Sequence, residues 1–168
     1  LGPDEIIIGD GGSTDGTQDI ACRYPVRLIP CPRGRATQMN HAAEAANGDL
    51  LLFLHADTSL VPAGFAKMTE TMGDEKWVGG AYSLHIESTR KTLRLISRLA
   101  NWRSRFLNLA YGDQAFFVRK ETFHKLGGFA DLPICEDLEF YRRLYAEGPV
   151  LLLKHKANTS ARRWEQDG

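Results

Sequence analysis

Apolar positions along the chain fall into short aliphatic runs that alternate with stretches of helical spacing. Ile6-Ile7-Ile8, closed by Gly9 and Gly11-Gly12, predicts a buried strand. Ser13, Thr14 and Asp15 are capping residues ahead of a helix running toward Cys22. Val26 to Ile29 predicts a second strand, ended by Pro30 and Pro32, and Arg35 to Ala46 a helix that stops at Asn47-Gly48. Leu50 to Leu54 is apolar throughout, the pattern of a strand at the centre of a parallel sheet. Pro62 to Met72 reads as a helix with proline in its first turn, and Val78 to Ile86 as a strand. Thr92 to Ala110 is a longer helix, with Leu95, Ile96, Leu99, Trp102, Phe106 and Leu109 at the spacing of an apolar stripe. Ala115 to Val118 is a strand, Glu121 to Leu126 a short helix ended by Gly127-Gly128, Glu136 to Ala146 a helix ended by Gly148, and Val150 to Leu153 a last strand. This alternation predicts an α/β fold with a mostly parallel central sheet and crossover helices.

Length and composition add little that is specific. The 168 residues suit one domain, and with 43% hydrophobic residues they can bury a core. Lys plus Arg and Asp plus Glu both number 21, so net charge points to no particular partner, and nothing in the balance or the motifs suggests nucleic acid. Cys22, Cys31 and Cys135 form neither a zinc pair nor a disulfide framework; a reducing, cytoplasmic setting fits them. No apolar run reaches the ~18 residues of a spanning helix. The chain opens at Leu1 and closes at Gly168 just after a charged stretch, so residues 1–168 are expected to be one domain truncated at both ends. Charge is uneven locally: Arg90, Lys91, Arg94, Arg98, Arg103 and Arg105 lie on the long helix, with no acid from Arg90 to Ala110. Such a run is a solvated face, or a contact with a phosphorylated acceptor or with anionic lipid at the inner face of the membrane.

Chemistry is expected where polar residues follow apolar strands, because ligands of open α/β sheets sit beyond the carboxyl ends of the strands. Two stretches qualify. Asp10-Gly11-Gly12-Ser13-Thr14-Asp15-Gly16-Thr17 is glycine-rich but lacks the lysine of a phosphate loop, has Thr14 where a dinucleotide fingerprint needs its third glycine, and carries an acid that would repel a pyrophosphate. A carboxylate there suits base N–H groups or ribose hydroxyls; the bland alternative is a tight turn with a helix cap. His55-Ala56-Asp57 is the second stretch. On an extended strand end both side chains face one way, an N/O pair able to hold Mn²⁺ or Mg²⁺; otherwise His55 packs and Asp57 caps a turn. Arg33 and Arg35, either side of Gly34, could clamp a phosphate. Asp113-Gln114 and Glu136-Asp137 are further candidates. The latter pair opens a helix, where acids gain about 0.3–1 kcal/mol each, and neighbours on a helix do not share a face.

Taken together, the motifs resemble the family 2 glycosyltransferases of GT-A fold. Asp10 to Thr17 resembles their donor-binding signature, His55-Ala56-Asp57 their D-x-D metal site, and Gly127-Gly128-Phe129 followed by Glu136-Asp137 their G-G-F…E-D signature. A narrower resemblance, to the radical-SAM/selenodomain-associated transferases, is carried by Gly34-Arg35-Ala36, Gln38-Met39-Asn40, Leu54 to Thr58, Tyr111 to Gln114 and Thr159 to Glu165. The resemblance implies a GT-A fold lacking its usual first strand. It also implies a nucleotide-sugar donor, an acceptor of unknown identity and a divalent metal, Mn²⁺ or Mg²⁺. Carried over position by position, Asp10, Gly12, Ser13 and Asp15, with Arg33 and Arg35, bind the donor. Asp57, with His55 in place of the first acid, holds the metal. Asp137 is the catalytic base, with Glu136 beside it. Asp113, Gln114, Arg162, Arg163 and Trp164 lie on the acceptor side.

The implied reaction needs acids split between a metal end, where charge on the leaving diphosphate is absorbed, and a base end, where the acceptor hydroxyl is deprotonated for a single inverting displacement. Two other readings use a similar layout. A nucleotidyltransferase would want a basic loop near the first strand, which Asp10 argues against. A non-catalytic nucleotide-sugar-binding domain is favoured by His55 but opposed by Glu136-Asp137.

Overall fold

The computed structural model describes residues 2–107 and 110–162, without the side chain of residue 107. The strands are β1 (Ile7–Asp10), β2 (Arg27–Pro30), β3 (Leu50–Phe53), β4 (Thr58–Leu60), β5 (Gly79–Glu87), β6 (Phe116–Arg119) and β7 (Val150–Ser160). The helices are α1 (Thr17–Ala21), α2 (Arg35–Ala45), α3 (Pro62–Met72), α4 (Lys91–Leu107), α5 (Lys120–Lys125) and α6 (Glu136–Glu147), with a 3₁₀ turn at Gly112–Gln114. The α/β class follows the sequence pattern, and most boundaries agree with it to within one or two residues. The pairing does not. β1 and β2 form a parallel pair, whereas the other five strands make a mixed sheet in the order β3-β6-β5-β7-β4, with only β5 and β7 parallel. The expected mostly parallel sheet is therefore a mixed one, and β3 lies at one end of the five strands rather than at a centre.

The register explains the antiparallel turn of β6. On its β5 side, β6 pairs only with Gly79–Ala81, the first third of that strand. α4 covers the rest of that edge: Asn101 accepts from the Leu84 amide at 2.7 Å and donates to the Leu84 carbonyl at 2.9 Å, and Ser97 Oγ accepts from the Ile86 amide at 3.1 Å. The chain thus runs down one edge of β5, first as helix and then as strand, and never makes the return crossover that a parallel strand requires.

The sheet must curl. β3 and β4 stand at opposite ends of the strand order, which in a flat sheet would be ~19 Å apart at four inter-strand spacings. The five Cα steps from Phe53 to Thr58 span at most ~18 Å when fully extended, and the Thr58 amide spends part of that reach on a turn, donating to the His55 carbonyl. The segment between β3 and β4 is therefore drawn across the mouth of the sheet, carrying His55 and Asp57. At its far end, Thr58 Oγ1 donates to the Thr159 hydroxyl of β7 at 3.1 Å, with both residues buried.

One core cluster sets the position of α6. The rings of Phe53, Phe123, Phe129 and Phe140 pack in tilted and edge-to-face contacts with centroids as close as 4.7 Å, an arrangement that adds to the area the rings bury. Gly127 and Gly128 reverse the chain after α5 with φ of 76° and 71°, and a Cβ on Gly128 would meet Asn40 Oδ1 at 2.7 Å. Asn40 of α2 clasps Phe129, donating to its carbonyl at 2.8 Å and accepting from its amide at 2.9 Å. The Gly127-Gly128-Phe129 segment thus fixes the direction from which the chain enters α6, and with it Glu136 and Asp137.

Candidate active site

The first part of the site is the turn after β1. Asp10, 5% exposed, is engaged by the turn itself: it accepts from the amides of Gly12 and Ser13 at 3.1–3.2 Å, from the Ser13 hydroxyl and from Gln18 Nε2 at 2.6 Å. These donors, the Ser13 hydroxyl foremost, hold its carboxyl below the usual carboxylate range, so the turn carries a fixed negative charge. Gly16, not one of Ser13, Thr14 or Asp15, is the N-cap of α1; Asp15 just ahead of it accepts from the amide and hydroxyl of Thr17, and the hydroxyl bond is the main cause of its lowered pKa. Gly11, Gly12, Ser13, Thr14, Asp15, Arg33 and Gln38 line an open cleft of 450 Å³, within the size range of small-molecule sites. Gln38 is a residue the sequence reading did not single out for a role. Its amide donates to the Gly9 carbonyl at 2.8 Å, and α2 lies so close that a Cβ on Gly9 would meet the Gln38 carbonyl oxygen at 2.8 Å. A glutamine in a helix carries no signal of its own; only the packing of α2 on β1 brings it here.

The second part gathers around Gly112. Its amide donates to Asp137 Oδ2 at 2.6 Å, and a Cβ added to Gly112 would lie 2.8 Å from His55 Nε2 and 3.0 Å from Asp137 Oδ2. The imidazole and the carboxylate therefore face each other across a glycine, and no larger residue fits between them. Arg35, at the first turn of α2, reaches into the same place. Its Nε lies 3.1 Å from Glu136 Oε1, its Nη2 3.9 Å from Asp137 Oδ2 and 3.4 Å from His55 Nε2. A guanidinium can only donate, so His55 Nε2 presents its lone pair and the proton sits on Nδ1. Burial, and next the Arg35 charge, push the His55 pKa below its ordinary value, which keeps the ring neutral near neutral pH.

Two departures from the sequence reading follow. His55 and Asp57 sit in the turn between β3 and β4, so strand alternation does not align them. Arg33 and Arg35 do not form one clamp either: Arg33 Nε donates to the Gly11 carbonyl at 3.2 Å beside the cleft, while Arg35 turns to the acids of α6. Glycine at position 34, with φ 141°, lets the two side chains diverge.

Glu136 and Asp137 are 1% and 5% exposed, and both face the site despite being neighbours on α6, because at its first turn Asp137 bends back to Gly112 and Leu138. Asp113 is half-buried; burial first, and then the Asp137 charge, push its pKa up to about 6. Gln114 belongs to the support rather than to the acceptor surface. It is fully buried, its Oε1 accepts from Ser104 Oγ at 2.9 Å and from the Tyr111 amide at 3.2 Å, and its Nε2 donates to the Tyr82 carbonyl at 3.1 Å. Among the described residues, the two non-glycine positions with positive φ flank this cluster, Ala115 at 50° and Cys135 at 63°; strained backbone of this kind concentrates at functional sites. Arg162 is exposed at the end of β7 with its amide on Ser160 Oγ at 3.2 Å, while Arg163 and Trp164 lie outside the described residues.

A divalent cation would meet the exposed Asp57 carboxylate here, and the neutral His55 imidazole only once Arg35 turns away from its Nε2 lone pair. No group of three or more His, Cys, Asp or Glu side chains is set to hold a metal among the described residues, so the remaining ligands would be diphosphate oxygens and water.

The family model described as "Glycosyl transferase family 2" matches residues 1–129. A probable glycosyltransferase of Bacillus subtilis (strain 168), YdaM, is 26% identical over 187 aligned residues, which cover 97% of this chain and 43% of that protein. The fold is shared with a mannosyltransferase of Pyrobaculum calidifontis solved with GDP-Man and Mn²⁺ (TM-score 0.63, 16% identity, 92% of this chain and 47% of that one). It is also shared with S. aureus TarS 1-349 solved with UDP-GlcNAc (TM-score 0.69, 16% identity, 93% and 49%). The likeness to these two structures is one of fold, the GT-A fold. The chain spans less than half the length of each of these three relatives.

Proposed function

The chain belongs to glycosyl transferase family 2, and from that premise we propose that it transfers a sugar from a nucleotide-diphosphate donor to an acceptor hydroxyl, with inversion and with assistance from a divalent metal. The observation that carries this reading is the meeting of His55, Arg35, Glu136 and Asp137 around Gly112. An imidazole lone pair on one side and a base on the other is the division such a displacement needs.

The donor nucleotide lies in the cleft of Gly11 to Asp15 with Arg33 at its edge, Asp10 keeping the turn in shape from beneath. Relatives of the same fold carry GDP-Man and UDP-GlcNAc, which supports a nucleotide-diphosphate sugar as the donor class. Asp57, together with His55 once Arg35 turns away from it, would hold the metal, which would supply positive charge where the leaving diphosphate becomes more negative. Asp137 accepts the acceptor's proton as that oxygen attacks the anomeric carbon and the bond to the diphosphate breaks. The Gly112 amide and Arg35 hold Asp137 in place for this step. Asp113 and Arg162 lie toward the acceptor.

The test separates the two ends. Asp137→Asn should leave Mn²⁺-dependent donor affinity near wild type and lower turnover about 10²–10⁴-fold; Asp57→Asn should lose both. Calorimetric donor titrations beside turnover, over a set of nucleotide sugars, provide the measurement. Full turnover in Asp137→Asn would overturn the base assignment, and donor binding without turnover of any sugar would favour a non-catalytic binding domain.

A further inference from the structure

Of the apolar stripe marked by helical spacing on α4, four residues face away from the core, Ile96 turns inward and Leu109 lies outside the described residues. Leu95, Leu99, Trp102 and Phe106 are 54%, 57%, 57% and 62% exposed, and the rings of Trp102 and Phe106 pack against each other at a tilt with centroids 5.4 Å apart. The opposite face of the helix is the packed one. Leu93, Ser97 and Ser104 are buried there, with Ile96 and Ala100 packed against Leu84, Ile86 and Ala161. One helix thus has two apolar faces, and only one of them has a partner among the described residues.

The exposed stripe is bordered by cations. Lys91, Arg94, Arg98 and Arg105 are all exposed, and none pairs with an acid among the described residues. They sit on a segment that has no acid between Glu87 and Asp113, in a chain whose overall charge is zero. On a helical wheel these four lie along one border of the stripe, while Arg103, on the other border, stacks over Tyr111 at 4.0 Å. A second copy of the chain laid face to face on this stripe would bring the cations of both copies together, so self-association is opposed by charge. The surface complementary in both respects is one with negative headgroups above an apolar layer. Large aromatic and aliphatic side chains flanked by arginine, along a helix lying flat, match the interfacial amphipathic pattern, and tryptophan favours the boundary between headgroups and acyl chains. Among the described residues no helix is long and apolar enough to cross a membrane.

We propose that α4 docks the protein on an anionic lipid bilayer, with Leu95, Leu99, Trp102 and Phe106 entering the interface and Lys91, Arg94, Arg98 and Arg105 meeting the headgroups. Because Tyr111 beneath Arg103 is the residue before Gly112, docking holds the acid cluster close to the bilayer surface. The inference stands on surface chemistry alone and does not require the transferase reading.

The test is co-sedimentation of the full chain with vesicles of phosphatidylcholine alone and of phosphatidylcholine with an equal part of phosphatidylglycerol. Binding should appear with the mixed vesicles only and weaken with added salt. Arg94→Glu with Arg98→Glu should lower partition at least about 25-fold, each charge near a membrane counting for roughly a factor of five. Leu95→Ser with Leu99→Ser should abolish it. All four side chains are exposed, so both variants should keep the wild-type melting temperature. Tryptophan emission should shift to the blue on the mixed vesicles, and Trp102→Phe should remove that shift. No binding to anionic vesicles overturns the proposal. So does binding that survives loss of the leucines, which would reduce the contact to charge alone. Light scattering that shows a dimer broken by the leucine substitutions would also overturn it, by assigning the stripe to a second copy.

Discussion

The amide of Gly112 donates to Asp137 Oδ2 at 2.6 Å, and the same glycine leaves no room for a side chain between that oxygen and His55 Nε2. A methyl group there would sit 2.8 Å from the imidazole nitrogen and 3.0 Å from the carboxylate oxygen, so one or both must move. Gly112→Ala should therefore fold, since Gly112 has an ordinary negative φ, but should turn over about 10²-fold more slowly, the scale of a 1 Å misplacement of reacting groups. Turnover at wild-type level, with the melting temperature unchanged, would show that the spacing of His55 and Asp137 is not used.

Asp113 gives the fold a pH dependence of unusual sign for a carboxylate. Its pKa is about 6 in the folded chain against an ordinary 3.8, because burial and the Asp137 charge disfavour its ionised form. Between about pH 4 and pH 6 the unfolded chain therefore binds fewer protons than the folded one, and stability falls as pH rises. Asp113→Asn should match the wild type below about pH 4 and exceed it by up to the order of 3 kcal/mol above about pH 7. Melting temperatures of both proteins across that range are the measurement; parallel curves would mean that Asp113 titrates normally.

Gln114 should behave as a structural residue. Its amide joins α4, the 3₁₀ turn and β5 through Ser104, Tyr111 and Tyr82, with no exposed surface. Gln114→Leu takes this partner from the Tyr111 amide and the Tyr82 carbonyl, while Ser104 keeps the Ala100 carbonyl, and should cost on the order of 2–4 kcal/mol. A variant that instead melts normally but needs much more acceptor to reach half-maximal rate would return Gln114 to the acceptor surface.

How far the sequence is legible depends on which force decides each feature. Strand and helix positions were readable because local burial patterns specify them, as at Pro62–Met72, where prediction and structure coincide. The sense of β6 was not, because apolar runs say nothing about whether the preceding helix crosses back or runs alongside. Here Ser97 and Asn101 use polar side chains to complete the edge of β5. The same choice turned α4 over: its spacing marks an apolar stripe, yet the hydrogen bonds on the other face decide which side is inward. β7 runs on to Ser160, beyond the apolar end at Leu153, because its later residues pair with β5 and β4. In the site, the acids and His55 were visible as motif residues. The role of Arg35 was not, because its partners lie about 20 and 100 positions away and only the packing of α2 against α6 joins them.

Arg35 and Glu136 provide the last prediction. Glu136 is 1% exposed, and its Oε1 lies 3.1 Å from Arg35 Nε without the alignment of a hydrogen bond, while Arg35 itself is 52% exposed. Removing one partner of a fully buried pair costs about 3–5 kcal/mol because the other charge is left stranded. Water reaches Arg35, so Arg35→Gln should cost less, on the order of 1–3 kcal/mol. Replacing both residues, Arg35→Gln with Glu136→Gln, removes the stranded charge and should recover part of that loss. The two substitutions should then be non-additive by about 0.5–3 kcal/mol, the coupling expected of groups in contact. Denaturant unfolding of the four proteins closes the cycle. If the losses simply add, the contact between Arg35 and Glu136 contributes nothing to the fold. Arg35 would then be free to leave the acids for a donor phosphate, which would restore the clamp with Arg33 that the sequence first suggested.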